Sequence, residues 1–244
     1  MQFFSTCWQA ILEVLFPACC AACGRKLVQE EQVICSSCFD SIARTEHACI
    51  PNNGIDMLIA EHLSETTKHI RYVRGAAFAY YNKERGSTLR SLIEHGKFGL
   101  HSNPMIFYEL GRRAASEYIG SALLEDIDLL VPIPLHPYRL RERGFNQAEY
   151  ICKALHAITK IPIDTEHLIR VRNNPHQSRS AFDKRQSNVE DIFAIRYPEE
   201  WKGKHILLVD DVITSGATIF SCMKHTSSIR DCRVSIFAIG WAHH

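Results

Sequence analysis

An α/β fold is the class this sequence predicts: a mainly parallel sheet flanked by helices, with a small N-terminal four-cysteine segment in front of it. Three stretches carry that expectation. The first is Lys204 to Thr218, where the apolar run Ile206-Leu207-Leu208-Val209 meets two carboxylates, Asp210 and Asp211, and then a loop of small and hydroxyl residues. Continuous Ile, Leu and Val suit a strand buried on both faces of a parallel sheet. The second is Asp128 to His136, another apolar run that ends in a loop bounded by Pro132 and Pro134. The third is a pair of C-x2-C motifs, Cys20/Cys23 and Cys35/Cys38, eleven residues apart.

In chain order, Trp8, Ile11, Leu12, Leu15 and Phe16 predict a short amphipathic helix over 8–16, ended by Pro17. The twin cysteine pairs follow. Redox pairs or core thiols would also fit this pattern, but twin pairs in a loop-rich segment suit four thiolates around one tetrahedral Zn²⁺. Gly24, directly after the second cysteine, suits a knuckle turn. With all four positions filled by cysteine, such a site is closed and structural. Cys19 is a spare thiol, and Cys7, Cys49, Cys152, Cys222 and Cys232 are expected to be core or surface thiols. The segment is too short for much of a core of its own, so the metal is expected to supply most of its folding energy.

Residues 41–70 give a weak signal: a turn at Pro51-Asn52-Asn53-Gly54, then a polar helix. Val73 to Tyr81 reads as a strand, Asn82 to Gly86 as a turn, and Leu89, Leu92 and Ile93 as the start of a helix broken by Glu94 to Gly99. Lys97, between Gly96 and Gly99, reads by itself as a solvated turn lysine, with a phosphate-contacting cation as the alternative. Ile106, Leu110, Ala114 and Tyr118 predict a helix over 104–119. After the second buried strand comes a loop with Arg139, Arg141 and Arg143. Such a run is usually a solvated face. Its place directly after a buried strand, where open α/β sheets bind ligands, favours a binding loop. Asn146 is expected to cap a helix carrying Ala148, Ile151 and Leu155.

In the first stretch the strand is expected to stop at the acidic pair. Thr214 to Thr218 then form a loop into a helix with Ile219, Met223 and Ile229 on one face. A small-residue loop at a helix start offers N–H groups to a phosphate. The two acids repel an anion and suit the hydroxyls of a sugar diol. A phosphorylated ribose fits both halves.

Here the sequence resembles a known pattern. Val209 to Thr218 is similar, along its whole length, to the phosphoribosyl-pyrophosphate (PRPP) motif of type I phosphoribosyltransferases. Receiver domains share the acidic pair after a strand, but their further functional residues lie far downstream, and the residues after Asp211 are expected to be too few for them. The wider resemblance is to the ComF family (competence protein F, ComFC and GntX-like proteins). It rests on the four cysteines, on Val131 to Gln147 with its Gly144-Phe145-Asn146-Gln147 ending, on Gln177 with Arg185 and Asn188, and on Leu207 to Thr218. Two departures stand out. Gly99 falls one place early after Lys97-Phe98, and Ser180 stands where the family often has Leu.

The resemblance implies a phosphoribosyltransferase (PRTase)-like domain over 70–244 behind a zinc-ribbon segment over 1–50. It implies that Thr214, Ser215, Gly216, Ala217 and Thr218 hold the 5′-phosphate and that Asp210 and Asp211 hold the ribose hydroxyls. Leu135, His136, Arg139 and Arg143 would form the pyrophosphate loop, with Lys97 and Gln177 as further contacts and residues 173–188 as a closing hood. Mg²⁺ would accompany PRPP. Asp210, Asp211 and Arg143 would carry the chemistry, with His136 and His176 as candidate bases. The implied activity is transfer of phosphoribosyl to an unidentified acceptor with release of pyrophosphate, in the setting of competence and DNA uptake. Non-catalytic PRPP or nucleotide binding, single-stranded DNA binding, and partnership with a competence helicase are the other implied roles. The formal net charge of +1 offers no global basic field for nucleic acid. No apolar run of about 18 residues predicts a membrane span. The start has no basic region, and Glu13 interrupts the apolar run, so a cytoplasmic protein without a signal peptide is expected.

Overall fold

The structure is a computed structural model and describes residues 18–63, 69–82, 87–98, 102–171 and 192–242. The expected helix over 8–16 and the whole 173–188 segment, with Gln177, His176, Arg185 and Asn188, lie outside the described residues.

The elements are α1 (Ser36–Asp40), α2 (Gly54–His62), β1 (Arg71–Tyr80), α3 (Thr88–Lys97), α4 (Met105–Tyr118), β2 (Leu129–Pro132), α5 (Pro137–Arg143), α6 (Gln147–Thr159), β3 (Leu168–Arg170), β4 (Phe193–Ile195), β5 (His205–Ile213), α7 (Ala217–Lys224) and β6 (Arg233–Trp241). Four strands form one sheet in the order β1-β6-β5-β2, and every pairing in it is parallel. A small antiparallel pair, β3 with β4, lies apart from it.

Side chains alternate along β5, and each face meets its own layer. Leu207 and Val209 pack with Leu92 of α3, Phe107 of α4 and Ile151 of α6. Ile206 and Leu208 pack with Ile59 of α2, Ile219 of α7 and Leu168 and Phe193 of the small pair. Coverage of both faces is why the β5 sequence is apolar without alternation. The cysteine segment joins the first layer: Ile34, Phe39 and Ile42 are buried in the same cluster as Phe78 and Leu89. Its end also pairs with the sheet edge, since the Tyr80 N–H donates to the Ala43 carbonyl at 2.9 Å.

Four local expectations are corrected. β5 does not stop at the acidic pair: Asp210 lies opposite Ala238 and Val212 opposite Gly240, so β6 supplies backbone partners through Ile213. α3 is not broken at Glu94 but continues to Lys97. Gly96 serves packing there, because a Cβ at that position would lie 2.6 Å from the Phe107 ring. The arginine stretch is a helix, not a loop. His136 caps α5, Pro137 opens it and Gly144 closes it at φ 82°, the proline-in, glycine-out asymmetry of helix ends. Ile229 lies beyond α7, after a 3₁₀ turn over His225–Ser228, and is buried there.

Candidate functional site

The site lies at the carboxyl ends of β5 and β2. The alternation that builds the core continues into the acidic pair, so its two carboxylates face opposite sides of the sheet. Asp211 is on the α3 side, where Lys97 Nζ lies 2.6 Å from its Oδ2. Both side chains are mostly buried, with 19% and 11% of their surface exposed. Lys97 is therefore not a solvated turn residue. Asp210 is on the opposite side, near Cys222 of α7 and Arg170 of β3. Its carboxylate also accepts the Asp211 N–H at 2.8 Å. Burial first, and then the Asp211 charge, push Asp210 up to about 7, against the pull of Lys97 and Arg170. Burial and the neighbouring charge thus disfavour a second negative charge at Asp210.

Cationic groups surround this pair. Helical spacing sorts the arginines of α5: Arg139 and Arg143, four residues apart, are half-buried, while Arg141 is exposed. Arg143 lies within electrostatic reach of Asp211, Arg139 and Glu142, and burial lowers its pKa from the usual value. Its guanidinium stands 5.4 Å from the centroid of the Phe98 ring. Arg170 is half-buried in the fields of Arg139 and Asp210 and stands 5.5 Å over Phe193. Nothing in the sequence pointed to it, because only the fold carries β3 to this edge.

The loop between β2 and α5 holds Leu135 and His136, both half-buried. It is fixed at its start: the Ile133 N–H donates to Val209 O at 2.9 Å. Asn146 caps α6 as expected, accepting the Ala148 N–H at 3.2 Å, and its amide also donates to Ile133 O at 3.0 Å. His136 Nδ1 accepts the Tyr138 N–H at 3.2 Å, so that nitrogen is committed to capping α5.

Beyond β5, Thr214, Ala217 and Thr218 are exposed around a small hollow that Asp210 also lines, and Ser215 is exposed beside them. No side chain caps α7. Gly216 has φ 72°, a conformation that favours glycine. A Cβ there would also come within 3.1 Å of Leu58. α2 therefore forms a close wall behind the loop. An uncapped helix start behind small residues presents N–H groups to an anion. A wider hollow of about 300 Å³ lies at the opposite edge of the sheet, lined by Asp164, His167, Glu200, Trp201 and Lys204, away from these groups.

The second cluster is the cysteine knuckle. The Sγ atoms of Cys20, Cys23, Cys35 and Cys38 all lie within 4.8 Å of one another. Those of Cys23 and Cys35 are 3.8 Å apart. A tetrahedral ion with ~2.3 Å metal–sulfur bonds needs sulfurs ~3.8 Å apart, so the set fits a metal such as zinc. Backbone N–H groups support the sulfurs: Cys35 N–H to Cys20 Sγ at 3.3 Å and Cys38 N–H to Cys35 Sγ at 3.4 Å. The Ser37 hydroxyl, then backbone and Arg25 contacts, bring Cys35 down to about 5. Gly24 turns at φ 72° after the first pair. Glu31, which the spacing argument missed, ties the two knuckles together. It accepts the Val28 N–H at 3.1 Å and the Ser36 N–H at 2.8 Å, and pairs with Arg25 at 2.8 Å.

An all-parallel sheet, an acidic strand end running into a small-residue loop and a four-cysteine knuckle together define an α/β protein with an N-terminal segment that could hold a metal. No family model matches the chain. It is similar to several curated proteins. It is 27% identical over 211 residues to DNA utilization protein YhgH of Escherichia coli O157:H7, covering 83% of this chain and 88% of that protein. It is 30% identical over 93 residues to competence protein F of Haemophilus influenzae, covering 38% and 41%. It is 40% identical over 91 residues to competence protein ComFC of Bacillus subtilis, covering 37% and 35%. These relatives support an assignment to the ComF family. Distant structural likenesses are a hypothetical protein from Neisseria gonorrhoeae with bound ppGpp (TM-score 0.33, 16% identity, 54% of this chain and 66% of that one). Another is adenine phosphoribosyltransferase from Leishmania donovani (TM-score 0.33, 12% identity, 73% and 80%). Among the described residues no helix is long and apolar enough to cross a membrane.

Proposed function

We propose that this protein binds PRPP and transfers its phosphoribosyl group to an acceptor, releasing pyrophosphate, in the service of DNA uptake or use in the cytoplasm. The observation that carries this reading is the division of charge at the carboxyl end of β5. An acidic pair suited to a diol sits between an uncapped small-residue helix start and the half-buried Arg139, Arg143 and Arg170. The names of the relatives, with DNA utilization and competence in them, supply the setting.

In this reading the loop 214–218 takes the 5′-phosphate and the acidic pair takes the ribose hydroxyls. The bond from the anomeric carbon to the pyrophosphate oxygen breaks, and its electron pair leaves with pyrophosphate. The acceptor's lone pair forms the new bond at that carbon. Positive charge on the ribose and negative charge on the leaving group grow together, and Arg139, Arg143 and Arg170 would stabilise the latter. The cysteine cluster is the one three-or-more-ligand metal group among the described residues. Mg²⁺ would therefore come with the substrate's own oxygens and water, neutralising pyrophosphate charge. Resident Zn²⁺ in the knuckle completes the proposal.

Calorimetric titration of PRPP with Mg²⁺ into the zinc-loaded protein tests it. Binding is expected for the wild type and its loss for Asp210→Ala/Asp211→Ala. A folded wild type that takes up no PRPP ends the reading. A second reading, binding without transfer, is favoured by the capping role of His136 Nδ1, which leaves that candidate base half committed. PRPP binding with no pyrophosphate release across a panel of bases and amines would establish it.

A further inference from the structure

We infer that His95 is a positioning residue: through α3 it lets the cysteine knuckle set the place of Lys97 at Asp211, so that the metal site and the acidic pair are coupled. The inference rests on the PRPP reading only for its ligand; the coupling itself is argued from contacts.

α3 is held by the cysteine segment at both ends. At its start, the Thr88 and Ser41 hydroxyl oxygens are 2.9 Å apart, just after α1, the helix that carries Cys38. In its last turn, His95 Nδ1 lies 2.8 Å from the carbonyl oxygen of Ala21. A carbonyl only accepts, so Nδ1 carries the proton. Ala21 stands inside the knuckle, between Cys20 and Cys23. Two residues after His95, Lys97 reaches Asp211. Between these ends, Leu89, Leu92 and Ile93 are buried with Ile34, Phe39 and Ile42 of the cysteine segment. Gly96 brings the turn against Phe107, which prevents it from shifting toward α4. A ten-residue helix is rigid over this length. A knuckle that loses its metal loses the geometry of the Ala21 carbonyl, and the last turn of α3 loses its outer tether. Linkage requires the reverse effect as well: whatever fixes Lys97 on Asp211 must also favour the metal-loaded knuckle.

The test uses the full-length, zinc-loaded protein. His95→Phe keeps the ring bulk and removes the donor; His95→Gln restores a donor. PRPP affinity is expected to fall about fivefold or more in His95→Phe and to recover in His95→Gln. In parallel, zinc affinity is measured without PRPP by equilibrium competition with a chromogenic chelator, in the wild type and in Lys97→Met. Weaker zinc binding by Lys97→Met, whose side chain is not one of the four sulfur ligands, is the expected result. A PRPP affinity unchanged in His95→Phe, or a zinc affinity unchanged in Lys97→Met, overturns the coupling. If the wild type takes up no PRPP, the functional proposal fails, and the zinc-affinity arm alone decides the coupling.

Discussion

Two neighbouring carboxylates in this chain live in different surroundings. Asp211 has a lysine at 2.6 Å, while Asp210 is held above its ordinary range by burial and by Asp211. A carboxyl whose folded pKa is raised binds its proton more tightly in the native state. Stability therefore falls as pH rises from the unfolded value of 3.8 through the folded value of about 7. Asp210→Asn removes that ionisation. Its melting temperature is expected to exceed that of the wild type at pH 8, with the margin shrinking at pH 5. Equal margins at both pH values would mean that Asp210 is ionised throughout. The identity of this pair was legible from sequence, because two acids after a buried strand are a local signal. Its partners were not. Lys97 is more than a hundred residues away in sequence, and by itself reads as a turn lysine. Arg170 ends an ordinary short strand. Which face each acid takes depends on the pleat of β5, and which cation covers it depends on the layer packed there.

Phe39, the last aromatic of the cysteine segment, shows how an element is attached. Its ring stacks on Phe78 of β1 at 6.0 Å between centroids. Arg44 and Arg113 each lie 4.2 Å from its centroid, and Arg44 continues to Glu117 on α4 at 3.1 Å. Arg113 is held in turn by Glu109 at 2.7 Å. Glu109 is buried, and its charge is supported by Arg112 and Arg113 against the cost of burial. Phe39→Ala is expected to cost about 3–5 kcal/mol, from lost ring burial and two cation–π contacts. Urea denaturation of the metal-loaded protein measures it, and a cost under about 1 kcal/mol would show that α1 is not anchored to the sheet. Elements with a strong period or a cap were readable beforehand: α4, α6 with Asn146, and β5. The ends were misjudged where a neighbour decides them. Gly96 looks like a breaker until Phe107 is beside it. The arginine run looks like a loop until its flanking Pro137 and Gly144 are weighed as helix ends.

The cysteine segment was expected to be a separate unit over 1–50, folded by its metal. The described structure gives it a second source of stability, because Ile34, Phe39 and Ile42 complete the same hydrophobic layer that Leu207 and Val209 of β5 enter. The two sources make different predictions for metal removal. A segment folded by zinc alone would melt away on chelation and leave the sheet and its transition untouched. A segment that also covers one face of the sheet cannot leave without exposing Phe78, Leu89 and Leu92. Each exposed side chain of that size costs about 1.5–3 kcal/mol. A ligand that binds only the folded state also adds stability of RT ln(1 + L/Kd), with L its free concentration. Chelation is therefore expected to lower the melting temperature of the whole protein while the transition stays single and cooperative. Differential scanning calorimetry with and without a zinc chelator measures this. Two separated transitions, the larger one at its original temperature, would instead establish an independent ribbon. They would also remove the mechanical basis for coupling the knuckle to Lys97, since a segment that detaches freely cannot set the position of α3.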